Sequence, residues 1–261
     1  MKKKLALTTC NESFLYYRWI PFAIEFWERL GFDFICHFYG KKIPPYLHQY
    51  QDYLILESPI KEIPTPSLCQ VARLYLPSLH RDRSNILVTD VDLLPLSQIY
   101  FSYIDRLPKG KFIALRKKGA TLFMGFNIAS PEIWQNFSGI SPTRSSIEKK
   151  IIENFRNFDN RAQSSKEYTV DLYWNLDQIL LNYYFQKFDR TKKMALTAEN
   201  NWSIILSGFT KKMAYYHDKG MKVTKHWIRK NAEDIIFYTR DDERRLIDFE
   251  QEIKFLKNIY F

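Results

Sequence analysis

The chain has 261 residues, 46% of them hydrophobic and 26% charged, and a formal net charge of +10. That balance excludes a mainly disordered chain, and only 8 glycines exclude a collagen-like repeat. No apolar run approaches the roughly 18–20 residues that span a bilayer, and Leu5 to Leu7 behind Lys2–Lys4 is too short for a secretory signal. A cytoplasmic protein is expected. The positive balance favours acidic partners: nucleic acid, anionic lipid or phosphorylated ligands. The 3 cysteines, Cys10, Cys36 and Cys69, have no zinc spacing and read as buried thiols.

The first half alternates strand and helix patterns. Lys4 to Thr8 reads as a strand, and Ser13 to Leu30 as a helix in which Pro21 is a kink or a fresh start and Gly31 the stop. Asp33 to Tyr39 and Tyr53 to Leu56 read as strands. Ser67 to Leu79 reads as a helix, with Ser67 and Gln70 at capping-box spacing. Ile86 to Thr89 is an apolar strand buried on both faces, and Lys111 to Leu115 is another strand. This alternation predicts an α/β fold with a mixed, mostly parallel sheet flanked by helices. Further on, Phe123 to Ala129 reads as a strand with Gly125 inside it. Pro131–Phe137, Ile147–Phe158 and Leu176–Phe188 read as helices, and 241–261 as an amphipathic one. Residues 1–240 are expected to form one domain, with two halves that meet at about residue 115.

The most informative stretch is Ile86-Leu87-Val88-Thr89-Asp90-Val91-Asp92. A buried strand delivers two carboxylates at its C-terminal end, where open α/β sheets bind ligands. Both can address one hard cation, Mn²⁺ or Mg²⁺, which takes oxygen ligands and leaves positions for substrate phosphates. The spacing alone arises about once by chance in such a chain, so the apolar flanks carry the signal. The alternative is a turn capped by Asp90 with Asp92 solvated.

With that stretch, the sequence resembles the GT-A glycosyltransferases, and in particular glycosyltransferase family 8, whose D-x-D holds a metal on the sugar-nucleotide diphosphate. An Arg-bearing helix precedes that strand in the family, as Gln70 to Pro77 with Arg73 does here. Phe126-Asn127-Ile128-Ala129 resembles an F-N-x-G strand whose Asn faces the sugar, with Ala129 where Gly is usual. Leu176-Asp177-Gln178-Ile179 resembles a D-Q-D helix start, with Ile179 in place of the second Asp. His217-Asp218-Lys219-Gly220 with Lys225-His226-Trp227 resembles H-x-x-G-x-x-K-P-W, with two extra residues and His226 in the Pro position.

The resemblance implies a metal-dependent hexosyltransferase that uses a UDP-sugar and acts with retention on a glycan or lipid-linked acceptor. It implies metal ligands Asp90, Asp92 and His217, and donor contacts from Thr8, Thr9, Arg73, Asp90, Val91 and Lys225. Asp177, Gln178 and Asn127 would stand at the sugar. These roles are chemically coherent. A metal and Lys225 would neutralise a departing diphosphate, and an amide or carboxylate would steady a cationic anomeric centre.

Each residue has a plainer reading. Arg73 is then a surface ion-pair partner, Asp177 and Gln178 a helix cap, His217 a packed histidine, and His226 a rival metal ligand. His37 reads as core. A nucleotidyltransferase is the second reading, opposed by the absence of glycine from residues 5–15. A nucleic-acid-binding module is the third, opposed by scattered rather than striped basic residues, so no nucleic acid is expected. The tail permits peripheral membrane contact; packing back on the domain is favoured.

Overall fold

The computed structural model describes residues 3–95, 101, 104–118, 121–164, 175–197 and 237–239. The chain opens with strand β1 (Lys4–Asn11), a one-turn helix α1 (Phe14–Tyr17) and helix α2 (Ile20–Arg29). The single helix expected over Ser13–Leu30 is therefore two. Pro21 lies in the first turn of α2, where its missing N–H leaves no bond unmade, so it starts a helix rather than kinks one. Strands β2 (Phe32–Tyr39) and β3 (Leu54–Glu57) follow, joined by a 3₁₀ segment over Pro45–Tyr53.

Helix α3 (Thr65–Ala72) is shorter than expected and starts earlier. Pro66 occupies its first turn and no side chain caps it, so Ser67 and Gln70 form no capping box. Leu76–Leu79 is a 3₁₀ turn instead of a continuation, because Pro77 removes a helical donor. Next come β4 (Ile86–Val88), β5 (Leu93–Pro95), β6 (Phe112–Lys118), β7 (Thr121–Leu122) and β8 (Asn127–Ala129). The strand expected from Phe123 is confined to Asn127–Ala129, because Phe126 takes φ +69° and breaks the extended run.

Helices α4 (Pro131–Ser138), α5 (Arg144–Ser164) and α6 (Leu176–Lys187) precede strand β9 (Lys193–Thr197). Strand β10 (Phe237–Thr239) pairs antiparallel with β5. The Ser130 hydroxyl caps α4 by accepting from the Ile133 N–H at 3.3 Å. The tail helix expected over 241–261 lies outside the described residues.

The main sheet runs β3-β2-β1-β4-β8-β6-β7, with β9 also paired to β6. Pairs β1–β2, β2–β3, β1–β4 and β6–β9 are parallel; β4–β8, β6–β8 and β6–β7 are antiparallel. The mixed, mostly parallel sheet is thus as expected. Period-2 alternation splits its side chains between two cores. Ala6, Cys10, Phe34, Cys36 and Phe38 pack against Trp19, Phe26 and Trp27 of the α2 side. Leu5, Leu7, Ile86 and Val88 pack against Leu68, Val71, Trp134 and Leu181 on the opposite face. The three cysteines are free and buried. Among the described residues no helix is long and apolar enough to cross a membrane.

Candidate active site at the β1–β4 crevice

From β1 the chain builds β2 and β3 to one side, then returns to place β4 on the other. The C-terminal ends of β1 and β4 therefore flank a point where strand order reverses, the place where open α/β sheets bind ligands. An open cleft of about 270 Å³ lies there. Thr9, Cys10 and Asn11 enter it from β1, and Asp90, Val91 and Asp92 from just beyond β4. Arg73 and Gln70 enter from α3, Phe123 to Gly125 from the bend before β8, and Asn175, Asp177 and Gln178 from the start of α6.

Arg73 organises this cleft. It caps the C-terminal end of α3 and is 6% exposed. One guanidinium nitrogen donates to Asp90 Oδ1, and the other donates to Asp177 Oδ2 at 2.8 Å. Burial opposes its charge, but Asp90 and Asp177 outweigh burial and hold its pKa above the ordinary value. Burial pushes the Asp177 carboxyl up, and Arg73 opposes that shift. Asp177 Oδ1 accepts the Gln178 backbone N–H at 2.7 Å, so both its oxygens are engaged. The fork of Arg73 thus holds two carboxylates together.

Among the described residues the cleft is lined by one cation, Arg73, against three anions, Asp90, Asp92 and Asp177. Among the described residues this lining is two charges negative in a chain of +10, a set that attracts a cation rather than a bare anion. Its donor set fits a hard divalent cation, because Asp90 and Asp92 both bring carboxylate oxygens to the cleft. Asp90 keeps a third of its side chain exposed (33%), and its Oδ2 lies against Gly125, where a Cβ would sit 2.8 Å away. No group of three or more His, Cys, Asp or Glu side chains placed to hold a metal occurs among the described residues.

The structure brings Thr9, Arg73, Asp90, Val91, Asp92, Asp177 and Gln178 together. It does not bring Thr8 to the cleft: β1 runs three residues further than expected, so Thr8 is mid-strand and fully buried. Thr9 Oγ1 donates to the Cys69 carbonyl at 2.7 Å, pinning β1 to α3. Asn127 is also fully buried and does not line the cleft. Its amide donates to the Phe123 and Met124 carbonyls at 2.9 and 2.6 Å, which shapes the bend that does. His217, Lys225 and His226 lie outside the described residues.

Tyr16, Gln70 and Cys10 are among the lining residues not foreseen there. Tyr16 follows the end of β1 by one short turn. Gln70 sits one helical turn before Arg73, and its buried Oε1 has no hydrogen-bond partner among the described residues. The i, i+3 spacing of Gln70 and Arg73 is the signal that finds it. Cys10 lines the cleft as a thiol, since burial pushes its pKa well up.

No protein-family model matches the chain, and no curated protein matches it in sequence. Among solved structures it is similar to the glycosyltransferase GlyE of Streptococcus pneumoniae TIGR4 at 15% identity and TM-score 0.46, covering 84% of this chain and 50% of that one. To the apo form of GlyE it is 16% identical with TM-score 0.47, covering 100% of this chain and 65% of that one. To a Drosophila β-1,4-galactosyltransferase 7 mutant complexed with manganese, UDP-Gal and xylobiose it is 17% identical with TM-score 0.30, over 54% of each chain. The chain thus spans half to just under two thirds of the GlyE chains. These likenesses are loose, and the functional reading rests on the cleft itself.

Proposed function

We propose that the chain is a GT-A-type glycosyltransferase that moves a hexose from a UDP-sugar to a glycan or lipid-linked saccharide, with Mn²⁺ or Mg²⁺. The observation that carries this is the acidic pair Asp90 and Asp92 at the reversal crevice, in a cleft with a surplus of negative charge. Asp90 and Asp92 would hold the cation, with His217 as the third ligand. A bound divalent cation supplies charge neutralisation and Lewis acidity to a departing diphosphate.

The remaining steps belong to the chain. Thr9, Asn11 and Tyr16 form the end of the cleft suited to a nucleoside, with the Tyr16 ring as a stacking face. Gln70 Oε1, which has no partner among the described residues, accepts from a donor hydroxyl or base N–H. Arg73 acts as a positioning residue that fixes Asp90 and Asp177 at one spacing. Asp177 and Gln178 face the sugar, where carboxylate and amide oxygens favour positive charge at the anomeric carbon. Retention is supported by the family-8-like segments. Lys225 would add a cation at the diphosphate. A cytoplasmic location completes the reading.

The test is release of nucleoside diphosphate from a panel of UDP-, GDP- and ADP-sugars with and without Mn²⁺, followed by chromatography. Metal-dependent release from one nucleotide class is expected, with Asp92→Asn reducing it about 100-fold or more. Release from none of the sugars at any metal concentration contradicts the proposal.

A further inference from the structure

Beyond the donor cleft, a second and more open groove of about 390 Å³ runs along the outer face of α6. It is lined by Asn175, Gln178, Ile179, Asn182, Tyr183 and Gln186, which recur at helical spacing. Asn175 and Gln178 also line the cleft, so the two spaces are continuous at the end where Asp177 stands.

The lining has an unusual chemistry for this molecule. The chain carries 26% charged residues, yet none of the six groove residues is charged. Four are carboxamides. The other two, Ile179 and Tyr183, are each 46% exposed, where a solvated helix face ordinarily carries Lys or Glu. Asn182 makes the floor rigid: its Oδ1 accepts the Leu122 N–H at 3.0 Å, and its Nδ2 donates to Leu122 O at 3.3 Å and Gln178 O at 2.7 Å. That pins α6 to β7. The side-chain amides of Gln178 and Gln186 make no hydrogen bond within the described residues. Lys187 holds the Tyr183 ring, with Nζ 4.2 Å from its centroid and bonded to its hydroxyl, so this nearby cation is already engaged.

We propose that this face of α6 is the acceptor subsite and that its ligand is a neutral oligosaccharide. The inference rests on the donor-cleft reading above. A carboxamide offers one acceptor and two donors on a short planar group, which matches adjacent sugar hydroxyls. An exposed tyrosine and isoleucine offer apolar surface to the C–H face of a pyranose. An anionic acceptor would require cations, and the lining has none among the described residues. Continuity through Gln178 leads the bound saccharide directly to the sugar end of the cleft.

Saturation-transfer NMR on the full chain with UDP and Mn²⁺ tests this, using lactose, maltotriose, chitotriose and 3′-sialyllactose as probes. At least one neutral saccharide is expected to bind, with its Kd raised about fivefold or more by Tyr183→Ala and by Gln186→Glu. Both positions are on the outer face, and the Gln186 change leaves folding intact if Tyr183→Ala does not. Binding by no neutral probe, preference for sialyllactose, or a Kd unmoved by both variants overturns the inference. The UDP–Mn²⁺ thermal shift in the same samples reports on the donor cleft separately. A shift without saccharide binding removes only the groove; variant-sensitive saccharide binding without a shift removes only the donor.

Discussion

Arg73 shows how the chemistry of one residue can be legible while its partners are not. Its fixed charge and planar fork are legible in the sequence, and phosphate or carboxylate are both natural matches. Only the fold shows that Asp90 and Asp177, 17 and 104 residues away in sequence, converge on it. Removing the guanidinium would leave Asp177, 3% exposed, as a buried and unpaired carboxylate. Arg73→Ala is therefore expected to destabilise the protein by about 3–5 kcal/mol in urea unfolding. A loss below about 1 kcal/mol would mean that Asp177 finds water or another partner. Thr8 and Asn127 illustrate the opposite limit. The cleft takes the last three residues of β1, so Thr9 reaches it and Thr8, one residue short, does not.

The elements that frame the cleft were visible wherever local chemistry is decisive. The apolar strand into Asp90 and the Pro-led start and Gly-marked end of α2 are local signals. Helix ends set by proline were misjudged, because Pro66 and Pro77 override the capping-box spacing of Ser67 and Gln70. The bend before β8 was hidden for a different reason. Phe126 holds a left-handed conformation because its N–H bonds Val88 O at 2.6 Å and Asn127 secures the carbonyls on the turn. Those partners are tertiary and leave no mark in a window of sequence. The bend lets Gly125 approach Asp90, and a methyl there would meet Asp90 Oδ2 at 2.8 Å and Leu93 Cδ1 at 3.1 Å. Gly125→Ala is expected to weaken Mn²⁺-dependent nucleotide binding about tenfold or more, read by calorimetry, while Tm falls only a few degrees. Unchanged binding would show that Asp90 moves without consequence.

Across the molecule, a polar chain ties β2 and β3 to the start of α5. Glu57 Oε1 meets His37 Nδ1 at 2.7 Å, His37 Nε2 meets His80 Nε2 at 2.9 Å, and Arg144 reaches the other Glu57 oxygen. The sequence reading of His37 as core captured its burial but not this network. Burial lowers the pKa of His37, and burial with His37 lowers that of His80 to about 4; Asp82 opposes the shift, and Arg83 and Arg144 add to it. Burial opposes the charge of Glu57, but His37 and Arg144 outweigh it and hold its pKa low. An unfolded histidine takes its proton near pH 6.5, whereas folded His80 stays neutral until about 4. The unfolded state then binds more protons, so stability is full above about pH 6.5 and falls as pH drops toward 4. Urea titrations across that window should show this slope, reduced by about one proton in His80→Gln. A slope unaltered by that change would place the linkage elsewhere.

The central claim is that Asp90 and Asp92 bring a divalent cation and a nucleoside diphosphate together at the β1–β4 crevice. Its most direct test is the Tm of the full chain with UDP, with Mn²⁺, and with both. Binding to the folded state raises Tm by mass action, so a clear rise is expected only when both are present, and Asp92→Asn should abolish it. An equal rise with UDP alone, or none with UDP, GDP or ADP in the presence of Mn²⁺, would contradict the claim.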